Sequence, residues 1–286
     1  MSELPEFVRK YIDEIARVEG FSKYTTEVDA GSKHGDNFMS DMLQVVLKGA
    51  RERNGEVIHD NLNLICKVAP SNAERRREFQ SIAVFKREGY LYSQVLPAFV
   101  EFQKERGLSE KDGFFAFPKC YKVVADEEAD HFVIIMENLK TMGFKMWPKE
   151  KSLAIEQMKL IMRELAKLHA ISFAFEDQKP DIFKKFKKLD DILIGFFAED
   201  INISAVYPRT YQRVIDALKD ERCKNAMIEF KRDFRQIIAE CVGVGVCEPF
   251  GVITHGDPWI ANLLFQYNDE VSEAPVDAVT QNQKHK

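Results

Sequence analysis

The stretch Val252-Ile253-Thr254-His255-Gly256-Asp257-Pro258-Trp259-Ile260-Ala261-Asn262-Leu263-Leu264-Phe265 constrains the fold more than any other part of the chain. A β-branched run enters a tight polar turn and an apolar run leaves it, so ionisable groups must be held between two buried elements. Within the turn, Asp257 precedes Asn262 by five positions, with His255 just ahead. H-x-D-x-x-x-x-N is the spacing of a phosphotransferase catalytic loop. There the carboxylate takes the proton of an acceptor hydroxyl, and the amide oxygen holds a metal ion against phosphates. The same short pattern also fits a satisfied polar loop between two buried strands, and the rest of the chain has to decide.

A chain of 286 residues supports one two-lobed domain or two adjacent ones. Its net charge of -5, with no stretch rich enough in Lys and Arg to reverse it, argues against nucleic acid as a partner. Lys184, Lys185, Lys187 and Lys188 form the one notable basic cluster. Cys66, Cys120, Cys223, Cys241 and Cys247 are odd in number and lack a C-x-x-C spacing, which fits free thiols in a reducing compartment. The N-terminal segment reads as an amphipathic helix with Phe7, Val8, Tyr11, Ile12 and Ile15 on one side, not as a signal peptide. No window reaches the roughly 18 apolar residues of a membrane span. The expectation is a cytoplasmic protein.

Further along, Gly31-Ser32-Lys33-His34-Gly35-Asp36-Asn37 is a glycine-bearing loop, followed by a strand-like run over Met42–Leu47. Its glycines would let backbone N–H groups approach an anion, although two glycines four apart also make an ordinary hairpin turn. Asn54-Gly55 is a hairpin signal, and the returning strand ends in Leu64-Ile65-Cys66-Lys67-Val68. An ammonium at Lys67, on the third strand beneath such a loop, would reach nucleotide phosphates; a solvated strand lysine is the alternative. A helix is expected from Ser71 to Leu96, with Phe79, Ile82, Phe85, Tyr92 and Val95 at near-helical spacing and Pro97 as its stop. Glu88 in this helix could pair with Lys67 or simply be exposed.

Strands are expected over Phe114–Val124 and His131–Met136, joined by an acidic turn. The second ends in Glu137-Asn138-Leu139, a candidate hinge whose backbone groups could meet an adenine edge. This places a boundary between residues 1–139 and 140–286. Ser152–Phe175 reads as the scaffold helix of the second part, with Met158, Ile161, Met162, Leu165, Leu168 and Ser172 on one face and His169 as a hydrogen-bonded core histidine. Pro180–Cys247 reads as short helices broken by polar stretches. Its Phe183, Phe186 and Leu189 could lie on a membrane surface or on a solvated amphipathic helix. Phe196, Phe197, Tyr207 and Tyr211 would suit either an apolar acceptor or a core.

In this order the motifs resemble the ecdysteroid kinase-like family, a branch of the kinase-like small-molecule phosphotransferases that includes choline and aminoglycoside kinases. The resemblance rests on the Gly31 to Asn37 loop, the strand ending in Lys67, and Phe85-x-x-Glu88 with Tyr92 and Leu96-Pro97. Met136-Glu137-Asn138-Leu139 with Gly143-Phe144-Lys145-Met146, Leu165-Ala166-Lys167-Leu168-His169-Ala170, and His255 to Asn262 complete it. It implies an α+β, two-lobed protein-kinase-like fold of the aminoglycoside and choline kinase type, with a small β-rich lobe, a larger helical lobe and ATP between them. The γ-phosphate would pass to the hydroxyl of a small, lipophilic acceptor such as an ecdysteroid or a xenobiotic. By position, Gly31, Ser32, Gly35, Asp36 and Asn37 would cover the nucleotide, Lys67 would hold its phosphates and Glu88 would orient Lys67. Glu137, Asn138 and Leu139 would meet the adenine, Asp257 would be the base with His255 beside it, and Asn262 would be a ligand of Mg2+.

One departure stands out. The family pattern carries a second magnesium-binding aspartate after a returning strand, which begins here as Pro275-Val276-Asp277-Ala278-Val279. In the family's register Asn282, within a polar tail, would stand near that aspartate's place. A neutral amide does not replace a carboxylate's charge against a dication. The expectation is therefore an incomplete second lobe, with apolar surface uncovered and transfer impaired. The alternative reading is a pseudokinase or truncated isoform that binds nucleotide or ligand without phosphotransfer.

Overall fold

A computed structural model describes residues 3–31, 40–78, 80–148, 150–187, 203–242, 248–267 and 275–280. Five antiparallel strands make the first sheet: β1 (Phe21–Ala30), β2 (Asp41–Arg53), β3 (Glu56–Val68), β4 (Cys120–Asp126) and β5 (His131–Glu137), in the order β1-β2-β3-β5-β4. Asn54 (φ 54°) and Gly55 (φ 83°) form the tip of the β2/β3 hairpin. Two positive φ values give the turn a twist that matches the flanking strands. Pairing consequently runs unbroken from Arg53↔Glu56 to Asp41↔Val68, so β2 extends well beyond the expected Met42–Leu47.

Side-chain alternation gives this sheet two covered faces. Leu64, Cys66, Val68, Val133 and Ile135 pack in one cluster with Val8, Ile12 and Ile15 of helix α1 (Glu6–Val18). Phe132, Ile134 and Met136 pack in another with Phe85, Tyr92, Phe99 and Phe102. Those last residues belong to a helical run made of α2 (Ala73–Glu78), α3 (Ser81–Tyr90), a π-helical turn (Leu91–Val95) and α4 (Leu96–Glu105). Pro97 does not stop the helix as expected. It sits in the first turn of α4 directly after the π turn, where the widened register accommodates a residue without an N–H.

Buried Gln103 ties α4 to the next segment. Its Oε1 accepts from Phe114 N at 2.6 Å, and its Nε2 donates to Phe114 O and Phe99 O at 3.1 Å each. Phe114 thus has both backbone groups bonded by one side chain instead of a ladder, and the strand expected from Phe114 begins only at Cys120.

The chain then passes through a 3-10 turn (Leu139–Met142) to β6 (Lys145–Met146), α5 (Ile155–Gln178), α6 (Pro180–Phe186), α7 (Ile203–Ala217) and α8 (Glu221–Val242). A second 3-10 turn (Ile260–Asn262) leads to β7 (Leu263–Tyr267) and β8 (Pro275–Thr280), and β6, β7 and β8 form a three-stranded sheet in that order. Leu263, Phe265 and Ala278 on one face cluster with Ile161 of α5. Leu264 and Val279 on the other cluster with Leu139 and Phe144. Leu168, Ile171 and Phe175 of α5 share a core with Ile134 and Met136 of the first sheet.

The expected alternation of short helices after Pro180 gives way to longer ones. α8 runs for 22 residues, and its sequence holds neither Gly nor Pro. Phe183 and Phe186 are buried in the aromatic core beside Phe175, with Lys184 and Lys185 outward, so α6 turns its apolar side to the protein. Tyr211 packs on Phe230 and Phe234 between α7 and α8. Leu189, Phe196, Phe197 and the Tyr207 side chain lie outside the described residues. The His169 side chain is half-buried and makes no hydrogen bond to a described residue, unlike the bonded core histidine expected. On the same helix Ile155, Met162 and Phe173 are exposed. Among the described residues no helix is long and apolar enough to cross a membrane.

Gln103→Leu preserves volume but leaves the buried Phe114 N–H and C=O without partners. The expected loss is about 2–3 kcal/mol, read by urea denaturation.

Candidate active site

β3 alternates between the two faces of its sheet, and Cys66 points to the α1 side. Lys67 therefore points to the α3 side, paired laterally with Met42 and Ile134. On α3, Glu88 lies one turn beyond Phe85, which anchors that helix in the core. Lys67 Nζ donates to Glu88 Oε1 and Oε2 at 2.6 Å each, and the two side chains are only 5% and 6% exposed. Removing two charges from water is costly, and such a pair usually contributes little net stability. What it provides is a fixed position for the ammonium.

Gly31 closes β1, donating its N–H to Met42 O at 2.8 Å. A Cβ there would stand 3.1 Å from the Met42 carbonyl carbon, so the loop leaves the sheet through a position tight for any side chain. Ser32, Gly35, Asp36 and Asn37 lie outside the described residues.

At the end of β5, Glu137 N donates to Lys119 O at 2.9 Å and its Oε1 accepts from Lys119 N at 2.5 Å. Asn138 is buried. Its N–H donates to Asn63 O at 2.9 Å, its carbonyl accepts from Thr141 N and Oγ1, and its Oδ1 accepts from Lys140 N at 3.2 Å. Asn138 therefore caps the 3-10 turn that begins at buried Leu139. Its Nδ2 is buried with no hydrogen-bond partner among the described residues.

The Val252 to Asn262 segment is anchored at both ends. Ile253 N donates to the buried Ser172 Oγ of α5 at 2.8 Å. Gly256 then takes φ 82°, which lets the chain turn back sharply. Asn262 Nδ2 donates to Asp257 O at 2.9 Å and Oδ2 at 3.1 Å, while Asn262 N donates to Trp259 O at 2.8 Å. Residues 257–262 thus form a loop closed by one asparagine, whose Oδ1 is turned to the side opposite the carboxylate. Leu263 follows directly into β7 and fixes the exit.

Asp257 N donates to His255 Nδ1 at 3.3 Å, which puts the imidazole proton on Nε2. That nitrogen is buried and unpartnered among the described residues. Burial lowers the His255 pKa from 6.5 to about 4, so the ring is neutral at pH 7.

Two positions matter more than their sequence roles indicate. Ser172, a polar residue on the buried face of α5, holds the entry to the loop; its place in an apolar stripe was the available signal. Trp259, within the motif, is 52% exposed. β8 pairs Thr280 with Leu263, next to Asn262. Asn282 lies outside the described residues, as do Asp269 and the side chain of Asp277, the two candidate substitutes for the family's second aspartate.

Among the described residues no group of three or more His, Cys, Asp or Glu is placed to hold a metal ion by itself. The Asn262 amide oxygen is a hard donor of the type Mg2+ takes together with phosphate oxygens and water, and it is turned away from Asp257, so the two side chains do not form a joint donor set. That single donor fits the ion only with a polyphosphate present.

A family model described as the ecdysteroid kinase-like family matches residues 34–279. No curated protein and no solved structure matches the chain.

Two outcomes are expected. Glu88→Ala strands the buried Lys67 ammonium and lowers stability by about 3–5 kcal/mol, whereas Lys67→Met combined with Glu88→Leu costs less, as urea denaturation will read. For His255, the folded-state pKa of about 4 lies below 6.5, so the unfolded chain binds the proton more readily between those values. Its contribution is complete above pH 6.5 and is lost as pH falls toward 4. Relative to His255→Gln, the native chain should lose stability between pH 7 and pH 5.

Proposed function

The chain belongs to the ecdysteroid kinase-like family, and from that premise we propose that it is an ATP-dependent kinase of a small lipophilic alcohol. The family is one of kinase-like small-molecule phosphotransferases with the corresponding α+β fold. The observation that carries the finer reading is the buried Lys67–Glu88 pair at 2.6 Å, an ammonium fixed by a helical carboxylate as kinase-type nucleotide sites require.

In this reading residues 1–139 hold the nucleotide. Gly31 and the loop of Ser32, Gly35, Asp36 and Asn37 cover the phosphates, Lys67 binds them, and Glu137, Asn138 and Leu139 border the adenine. With the Asn138 N–H committed to Asn63 O, the base would be met from Glu137 or Leu139. Residues 140–286 supply the chemistry. The acceptor oxygen attacks Pγ and forms the new P–O bond. The bond from Pγ to the β,γ-bridging oxygen breaks with its electrons on ADP, and the hydroxyl proton passes to Asp257. His255 holds the Asp257 N–H, and Asn262 bridges the carboxylate. Asn262 would also hold Mg2+, which when bound offsets phosphate charge.

A second reading, a relative that binds nucleotide or ligand without transfer, is supported by the resemblance, whose register would put Asn282 near the family's second magnesium-binding aspartate. For either reading a reducing, cytoplasmic setting is proposed, supported by the free thiols Cys66, Cys120, Cys223 and Cys241.

Calorimetric titration with ATP, with and without Mg2+, followed by transfer to a panel of steroid alcohols separates the two. Asp257→Asn should lower transfer by about 10²–10⁴-fold while leaving ATP affinity in place. Magnesium-indifferent binding with no transfer by the native chain would establish the second reading.

A further inference from the structure

We propose that the outward face of α5 is the contact surface for a second copy of this chain, with the two α5 helices lying antiparallel across it. The proposal concerns assembly and stands apart from the nucleotide site.

One side of α5 buries Ile161, Leu168, Ile171 and Phe175 against the protein. On the opposite side Ile155 is 67% exposed, Met162 58% and Phe173 42%. Ala166 is exposed with them, and Lys159 and His169 complete the row at alternating spacings of 4 and 3 residues. That alternation is the seam of a coiled coil, whereas a helix packed on one side only carries polar residues on the other. Val214 on α7 and Ile228 on α8 are exposed singly, so among the described helices α5 alone carries such a row.

The row is complementary to itself in one orientation. Parallel helices would set Lys159 on Lys159 and Arg163 on Arg163, which like charges oppose. An antiparallel pair centred between Lys167 and Leu168 sets Met162 of each copy against Phe173 of the other, Ala166 against His169 and Lys159 against Glu176. The small Ala166 lets the two axes approach where His169 crosses. Arg163 and Asp177 are exposed and bonded to no described residue. In this register Arg163 of one copy and Asp177 of the other share a flank at an axial offset of about 7.5 Å, which an arginine side chain spans. A contact confined to one 24-residue helix per copy stands at the low end of the roughly 1,200–2,000 Å² that stable interfaces bury, so micromolar association is expected.

Sedimentation velocity on the full chain from about 1 to 200 μM reads this equilibrium without nucleotide or acceptor. The native chain is expected to pass from monomer to dimer across that range. Met162→Asp puts a carboxylate into the seam and should weaken association by about tenfold or more. Its urea midpoint should match the native one, because Met162 is exposed in the monomer. At low salt Arg163→Asp and Asp177→Arg should each weaken association by about threefold or more, and the double variant should return to within about twofold of native. A chain that stays monomeric at the top of the range, an assembly larger than a dimer, or a dimer indifferent to Met162→Asp would overturn the proposal. So would a double charge variant that associates no better than either single one.

Discussion

The arrangement of the first sheet turns on two opposite charges buried where β3 meets α3. Lys67 and Glu88 could have been two apolar residues at no loss of packing, since Phe85, Ile134 and Met136 already fill the surrounding core. Their presence imposes conditions elsewhere. β3 must keep its register so that Lys67, not Cys66, faces the helix, and the unbroken ladder from the Asn54-Gly55 turn secures this. α3 must be held at a fixed height, which the continuous run through the π turn into α4 provides, with Phe99 and Phe102 packed on Phe175 of α5. The ammonium is aimed by the combined rigidity of a sheet and a helix.

The second constellation is held differently. The Asp257 carboxylate is bonded by Asn262, its backbone N–H by His255, and the segment as a whole by Ser172 at its entry and β7 at its exit. α5 carries Ser172 and also packs against Leu263 and Phe265 through Ile161, so one helix supports both ends of the loop. The same helix contributes Leu168 and Phe175 to the core shared with the first sheet. Positions of the two charged sites are thus referred to one scaffold.

Much of this was legible because it follows from local rules. The Asn54-Gly55 turn, the apolar stripe of α1, the alternation that sends Lys67 opposite Cys66 and the spacing of Asp257 and Asn262 each depend on a few neighbouring residues. What escaped depends on long-range partners. Pro97 signals a helix end in isolation, but the preceding π turn absorbs its missing donor. Phe114 has the residue type of a strand, yet Gln103 satisfies its backbone from another element. Ser172 is unremarkable within α5 until Ile253 is brought to it from 81 residues away. Pairing across the chain converts each of these from a propensity into a position.

The two ways of holding charge have different consequences for change by substitution. The Lys67–Glu88 pair is made of side chains, so altering either partner leaves the other buried and uncompensated. The loop from Asp257 to Asn262 is closed largely through backbone carbonyls and one amide, and the side chains of Pro258, Trp259 and Ile260 take no part in that closure. Pro258 and Trp259 are exposed and Ile260 is half-buried. Substitution of those three side chains therefore leaves the bonds that close the loop around Asp257 as they are.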